Sequence, residues 1–288
     1  MFTIKQHICY PGNPNQPNED ILGFGENYCF ALDGASCLSG IHIMDRGSDA
    51  AWLVENVADG LCQRLNSGDD RPTEELLTEI LIPLKQQYLS VLAEKGIEMP
   101  GDSPSAGFAM FRKRNGNLEF FGLGDCVGVA SLSSEKNFYS LDTNLPNLDN
   151  SVLEQMMYLH QQSGIPMLQA RDLCQDLLIE NRKKRNHPDG YWILDLNTPE
   201  ALKNAKTASW ELTAPVSVAV FSDGFAQLAD VFHIFKSYFQ LFSTMQESDL
   251  EQLCLRLRYA QDADPDCNQY PRFKLRDDTC ALWGIFTP

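Results

Sequence analysis

The chain has no apolar run that reaches the ~18 residues of a membrane-spanning helix. Its opening Met-Phe-Thr-Ile-Lys-Gln-His-Ile lacks the uninterrupted apolar core of an export signal. The expectation is a cytoplasmic chain with no membrane partner. Positive charge is scarce, with 23 Lys and Arg against 39 Asp and Glu and a net charge of -16. Such a balance excludes a protein whose main partner is a nucleic-acid backbone. Histidine is sparse too: His7, His42, His160, His187 and His233 form no H-x-x-H or H-E-x-x-H spacing, and of these His42 is the one worth testing. The nine cysteines contain no C-x-x-C pair and mostly sit inside apolar runs, as reduced, buried thiols do. The even spacing of Cys254, Cys267 and Cys280 matches no closed zinc set. Ser36 and Ser222 lie in no G-x-S-x-G elbow, so serine-hydrolase chemistry is a poor fit. There is no internal repeat and no low-complexity tract.

What the sequence does have is aspartate at the ends of apolar runs. Ala31-Leu32-Asp33-Gly34-Ala35 closes one such run, and Val-Ser-Val-Ala-Val-Phe followed by Ser222-Asp223-Gly224 closes another. Strands of this apolarity are buried on both faces, which fixes a terminal aspartate at the rim of a sheet. The glycine beside it admits close approach of backbone or ligand. Glu19 and Asp20 precede the first run, Asp125 follows residues 118–124, and Asp277 and Asp278 open residues 279–286. A single Asp-Gly of this kind reads as a turn; their joint occurrence points to a site.

Along the chain, strands are expected at 2–9 and 28–32, with a turn-rich loop between them. Amphipathic spacing predicts helices over 46–66 and 70–95, the second kinked at Pro83. Residues 105–112 and 118–124 flank Asn115-Gly116, a hairpin signal, and 127–132 and 137–141 are expected to extend the same antiparallel sheet. Residues 142–215 break the strand rhythm. They carry helical patterns at 150–162 and 167–185 and a short strand at 191–194, and read as an inserted subdomain of one domain spanning 1–288. Its Arg182-Lys183-Lys184-Arg185 run reads as a solvated helix end. Tyr191 and Trp192 read as a strand start packed on the core. Helices near 229–243 and 248–261, and the strand 279–286, complete the chain.

Several carboxylates gathered at one rim repel, raise each other's pKa values and need a compensating cation. No Lys or Arg accompanies the Asp33-Gly34 and Asp223-Gly224 motifs in sequence. Oxygen donors without a His and Cys mixture suit hard cations, Mg²⁺ or Mn²⁺. A pair of such ions about 3.5 to 4 Å apart can share one aspartate, deprotonate a bridging water and clamp a phosphoryl displacement.

At this point the chain resembles the PPM-type, protein phosphatase 2C-like, metal-dependent serine/threonine phosphatases. Asn18-Glu19-Asp20, Ala31-Leu32-Asp33-Gly34, Ser105-Ala106, Gly122-Leu123-Gly124-Asp125, Phe221-Ser222-Asp223-Gly224 and Arg276-Asp277-Asp278 fall in that family's order with compatible spacings. The resemblance runs nearly end to end. It implies an α+β fold, a four-layer α-β-β-α sandwich of two antiparallel sheets flanked by helices, with 142–215 as a flap-like subdomain that governs substrate choice. It further implies that Asp33 bridges two ions and that the Gly34 carbonyl, Glu19 and Asp20 serve the second, partly through water. Asp223 and Asp277 would serve the first, and Asp125 matches a residue used for a third metal in some members. Asp33, Asp223 and Asp277 would then carry catalysis, a metal-bridging hydroxide attacking phosphoserine or phosphothreonine in a protein substrate.

Three positions depart from the family pattern. Asn15 stands where many members place a phosphate-holding arginine, Ala35 where histidine is frequent, and Cys126-Val127 follows Asp125 in place of a common arginine. These departures define the alternative, a non-catalytic module that keeps the fold and binds a phosphoprotein without turning it over.

Overall fold

The computed structural model describes residues 1–38, 40–98, 102–133, 137–140 and 144–288. In chain order the strands and helices are β1 (Phe2–Tyr10), β2 (Asp20–Gly25), β3 (Tyr28–Gly34), α1 (Asp49–Asn66) and α2 (Thr73–Lys95). Next come β4 (Ser105–Arg114), β5 (Asn117–Leu123), β6 (Val127–Ser131) and β7 (Asn137–Tyr139). The third quarter holds α3 (Asn144–Ser163), α4 (Met167–Leu173), α5 (Gln175–Arg182), β8 (Leu194–Asp195), a 3-10 turn (Pro199–Asn204) and β9 (Lys206–Glu211). The chain then runs through β10 (Val216–Phe221), α6 (Asp223–Asp230), α7 (Tyr238–Glu247), α8 (Leu250–Asp262) and β11 (Thr279–Phe286).

Two antiparallel sheets form, in the orders β1-β11-β10-β6-β7 and β2-β3-β4-β5-β9, with β8 beside β4. Side-chain alternation assigns each strand face to a layer. Along β3, Tyr28, Phe30 and Leu32 join a core with Trp52, Leu53 and Val57 of α1 and Leu77 and Leu81 of α2. Cys29 and Ala31 turn the other way, into a core between the sheets with Phe111, Phe120, Val218, Val220 and Leu282. On the far side, Phe221, Ala281 and Trp283 pack under Phe225, Leu241, Phe242, Leu253 and Leu257 of α6, α7 and α8. The result is the expected α-β-β-α sandwich. All nine cysteines are free, and six are buried.

Local chemistry explains the helix starts. The Ser48 side chain caps α1 by accepting the Ala51 amide at 3.2 Å, and Asp49 accepts the amides of Ile43 and Met44, each at 2.8 Å. Such caps stabilise a helix by about 1 kcal/mol. Helix α2 continues through Pro83 as one element, with Pro83 on its exposed side.

The strand assignment departs from expectation in three places. β2 is a strand that its sequence, Asp-Ile-Leu-Gly-Phe-Gly, disguised as a turn by two glycines. β6 and β7 do not extend the β4–β5 hairpin: β6 pairs with β10 in the opposite sheet, while β9, inside the region where only a short strand at 191–194 is expected, completes the hairpin's sheet. The cause is Gly124, whose φ of +71° turns the chain from one sheet to the other across Asp125. A hairpin signal fixes a pair of strands, not the sheet that the following strand joins. Residue 141 of the expected strand, and residues 142 and 143 at the start of the expected insertion, lie outside the described residues.

Helices α3, α4 and α5 form a small core of their own around Val152, Met156, Met167, Ala170 and Cys174, joined by Cys267. Arg185 ties this unit to the sandwich and is no solvated helix end. Its side chain is 8% exposed and its Nε lies 2.7 Å from the Asp195 carboxylate. It also donates to the Ser103 carbonyl, the Ser105 hydroxyl and the Ser103 hydroxyl, each at 2.9 Å. Removing one member of a buried pair leaves the other charge uncompensated, at about 3–5 kcal/mol. Arg185→Ala is therefore expected to cost about 3 kcal/mol in a denaturant titration and to hasten proteolytic cleavage within 144–205; unchanged stability and cleavage would remove Arg185 from this role.

Candidate metal centre

The β2–β3 register sets Asp20 directly opposite Asp33. Asp33 continues the alternation of Cys29 and Ala31 toward the space between the sheets, and Asp20 does so with Leu22. Two like charges opposed across an antiparallel pair destabilise it, and here neither is well placed for water. Asp20 is 4% exposed, and both its carboxylate oxygens are buried without a hydrogen-bond partner. Burial, then the charges of Asp223, Asp278 and Asp277, drive its pKa well above the ordinary carboxylate range, with the Ser222 hydroxyl opposing the shift. Asp33 is driven the same way by burial and then by Asp20, Asp223, Asp125 and Asp277.

The opposite sheet supplies the other carboxylates. β10 ends at Ser222, whose hydroxyl accepts the Cys280 amide at 3.0 Å, and Asp223 opens α6. Burial, then Asp277 and Asp125, push Asp223 up to about 7, against a hydrogen bond with Asp33 and the charge of Lys274. Three glycines make this convergence possible. A Cβ on Gly224 would stand 1.8 Å from the Asp278 carbonyl oxygen, one on Gly107 2.7 Å from the Asp125 carboxylate, and one on Gly34 3.0 Å from the Glu19 carbonyl oxygen. Gly107 is the register partner of Asp33 on β4, so its missing side chain leaves the room in which Asp125 approaches.

Glu19 accepts the hydroxyls of Ser36 and Ser48, and its carbonyl accepts the Gly34 amide at 2.9 Å. The Asp278 carboxylate receives the Gly12 and Glu19 amides, each at 2.7 Å, and so fastens the N-terminal loop to the start of β11. All seven residues picked out in the sequence, Glu19, Asp20, Asp33, Gly34, Asp125, Asp223 and Asp277, thus stand at the same end of the sandwich.

Sequence reasoning missed the residue at the mouth of this cluster. Lys274 Nζ donates to Asp277 Oδ1 at 2.8 Å and reaches Ser36 Oγ at 3.4 Å. Desolvation by the surrounding cleft works against its charge, but Asp277, Asp223 and Glu19 outweigh it and hold the ammonium protonated. The loop that presents it is built on Asp264. Its carboxylate accepts the amides of Asn268, Gln269 and Tyr270 and the Arg272 guanidinium at 2.8 to 3.1 Å. Arg272 donates in turn to the carbonyls of Tyr270, Leu275, Gln261 and Asp264. The signal available was Lys274 three residues before Asp277, a spacing that means nothing until this loop folds back.

The cluster opens into a cleft of about 620 Å³. Its floor includes Asp125, Asp223, Asp277 and Lys274, and α3 closes one side through Asp149, Leu153, Glu154 and Met157. Burial and then Asp223 push Asp149 up to about 7, with Arg182 opposing. His42 is exposed and lines no part of this cleft; His233 does, with Nδ1 3.0 Å from the Ala229 carbonyl. Tyr191 is buried and Trp192 packs beside the α1–α2 core, as structural aromatics do.

Among the described residues, no group of three or more His, Cys, Asp or Glu side chains could hold a metal ion as it stands. The donor chemistry nevertheless fits a hard divalent cation. The groups are carboxylate oxygens, two of them orphaned and buried on Asp20, and the charged forms of Asp20, Asp33 and Asp223 are disfavoured by burial and by their neighbours in a way that a cation relieves.

No protein-family model matches this sequence, and no curated protein matches it. Solved structures do. The chain is similar to the serine/threonine phosphatase PstP/Ppp of Mycobacterium tuberculosis, with a TM-score of 0.54 and 13% identity over 100% of both chains. It is similar to serine/threonine phosphatase Stp1 of Staphylococcus aureus, with a TM-score of 0.53 and 13% identity over 100% of this chain and 96% of that one. A third is the catalytic domain of PstP in complex with two manganese ions, at a TM-score of 0.51 and 13% identity over 99% of this chain and 98% of that one. At such identity the shared property is the fold, which is the one the PPM-type resemblance implied.

Gly224 offers the sharpest test of the site's construction. Gly224→Ala should destabilise the protein by about 1–3 kcal/mol, the usual range for overpacking, and weaken Mn²⁺ binding measured by calorimetry. Parent-like stability and binding would mean that α6 and Asp278 do not need this approach.

Proposed function

We propose that the chain is a metal-dependent phosphoprotein phosphatase that hydrolyses phosphoserine or phosphothreonine with two Mn²⁺ or Mg²⁺ ions, Asp125 matching the residue that some members of the PPM-type family use for a third. The observation that carries the reading is the register pairing of buried Asp20 with half-buried Asp33, behind Asp223, Asp125 and Asp277, which line an open cleft. The ions would supply a water acidic enough to ionise at neutral pH and would neutralise charge on the phosphoryl group.

The chain's own residues do the rest. Asp33, between Asp20 and Gly107 on neighbouring strands, is central enough to serve both ions. Asp223 and Asp277 would hold one, and Glu19, Asp20 and the Gly34 carbonyl the other, partly through water. Glu19 keeps Ser36 and Ser48 in place, and Asp278 positions Glu19 through its amide. Helix α3 and the 269–274 loop wall the cleft, so the subdomain over 142–215 is the element positioned to select the protein substrate. Among the described residues no helix is long and apolar enough to cross a membrane.

A second reading is favoured by one observation: Lys274 already pairs with Asp277, and Asn15 and Ala35 stand where the family anchors phosphate and protonates the leaving group. On that reading the chain is a phosphoprotein-binding module without turnover.

Hydrolysis of p-nitrophenyl phosphate and a phosphothreonine peptide, with Mn²⁺, Mg²⁺ or chelator, separates the two. The enzyme reading expects metal-dependent phosphate release that falls to the chelated level in Asp33→Asn and Asp223→Asn, with the fold unchanged by circular dichroism. Silence under every metal would favour the module, and full activity in Asp33→Asn would sink the mechanism.

A further inference from the structure

We infer that Lys274 is a tethered internal competitor for the divalent ion at Asp277, whose ammonium must leave the carboxylate before that ion can take it. The inference rests on the two-metal reading above and extends it to how the site is filled. Asp277 Oδ1 receives two donors, Lys274 Nζ at 2.8 Å and the Asp278 amide at 3.0 Å, so this oxygen is already spent on existing partners. The other cations nearby are committed elsewhere. Arg276 grips the Asp262 carboxylate at 2.6 Å, Arg258 donates to the Asp277 carbonyl rather than its carboxylate, and Arg272 is sealed around Asp264. Among the described residues, Lys274 is thus the cation on this carboxylate.

Its position is built, not incidental. Arg272 Nε donates to the Leu275 carbonyl at 3.2 Å, which fixes the backbone on either side of Lys274. A short pinned tether gives an effective concentration on the order of millimolar or above, so a divalent ion must outbid a partner that cannot diffuse away. The side chain is 45% exposed and Ser36 Oγ is 3.4 Å from the ammonium, which gives it a polar place to move to. Among the described residues, no cationic side chain pairs with the carboxylates of Asp20 and Asp33 in this way. The two halves of the cluster therefore differ in kind: one is ready for an ion, and the other is capped.

The test is a double-mutant cycle read by Mn²⁺ calorimetry, with no activity measurement. Lys274→Met should tighten an Mn²⁺ site about tenfold, as expected when a charge-assisted hydrogen bond no longer opposes the ion, while Lys274→Arg should not. In Asp277→Asn the same Lys274→Met change should alter affinity less than about twofold, because the competed carboxylate is gone. Tightening of equal size in both backgrounds would show a general field effect and overturn the inference, as would no tightening in the parent. Mg²⁺, which is diamagnetic, adds a direct view. The Lys274 ammonium resonance should shift to the position of the free lysines as Mg²⁺ binds; a resonance that stays put while the metal binds overturns it. Mn²⁺ binding that ignores Lys274 leaves the phosphatase reading standing, whereas no binding to parent or variant removes both.

Discussion

Antiparallel pairing of β2 with β3 places the buried Asp20 face to face with the half-buried Asp33, an arrangement that the fold tolerates only at a cost. Much of the surrounding structure follows from it. The strands beneath are apolar on both faces, so the rim that carries Asp20 and Asp33 cannot sag toward solvent. Gly107 on the next strand leaves open the space above Asp33, and Asp125 enters it from the turn that joins the two sheets. Carboxylates held together by backbone register, rather than by attraction, repel one another, a cost that a bound cation would relieve.

The supports of this rim are polar networks of unusual completeness. Asp278 gathers two amides of the N-terminal loop, and Asp264 gathers three amides and a guanidinium. Each turns an irregular loop into a defined surface, because a buried carboxylate that accepts several donors tolerates little displacement. Neighbouring aspartates therefore divide the labour: Asp278 faces inward to backbone amides, while Asp277 faces the cleft.

Most helices and the carboxylate set were legible in the sequence because they are written in periodicity and in acidic residues at strand ends, both of which are local, whereas the layers came only through the family resemblance. β2 was not, since its glycines mimic a turn, and the sheet membership of β6 and β9 was not, since it depends on the direction taken at Gly124. Arg185 looked like one of four solvated cations, and only the fold brings Asp195 and the Ser103 hydroxyl to it. Lys274 escaped notice for the same reason. A counter-charge that reaches its partner through a loop closed by Asp264 and Arg272 leaves no periodic trace.

The carboxylates come from two sheets: Asp20 and Asp33 from one, Asp223 and Asp277 from the other, and Asp125 from the crossover. Their mutual distances are consequently set by how far apart the sheets stand, and that separation is set by the side chains packed between them, among them Phe111, Phe120, Val218 and Leu282. The apolar layer is thus a spacer as well as a core. Variation in its volume, many residues away from any charge, would retune the grip of the rim on a cation, so the metal preference of such a protein can drift through hydrophobic substitutions that touch no ligand.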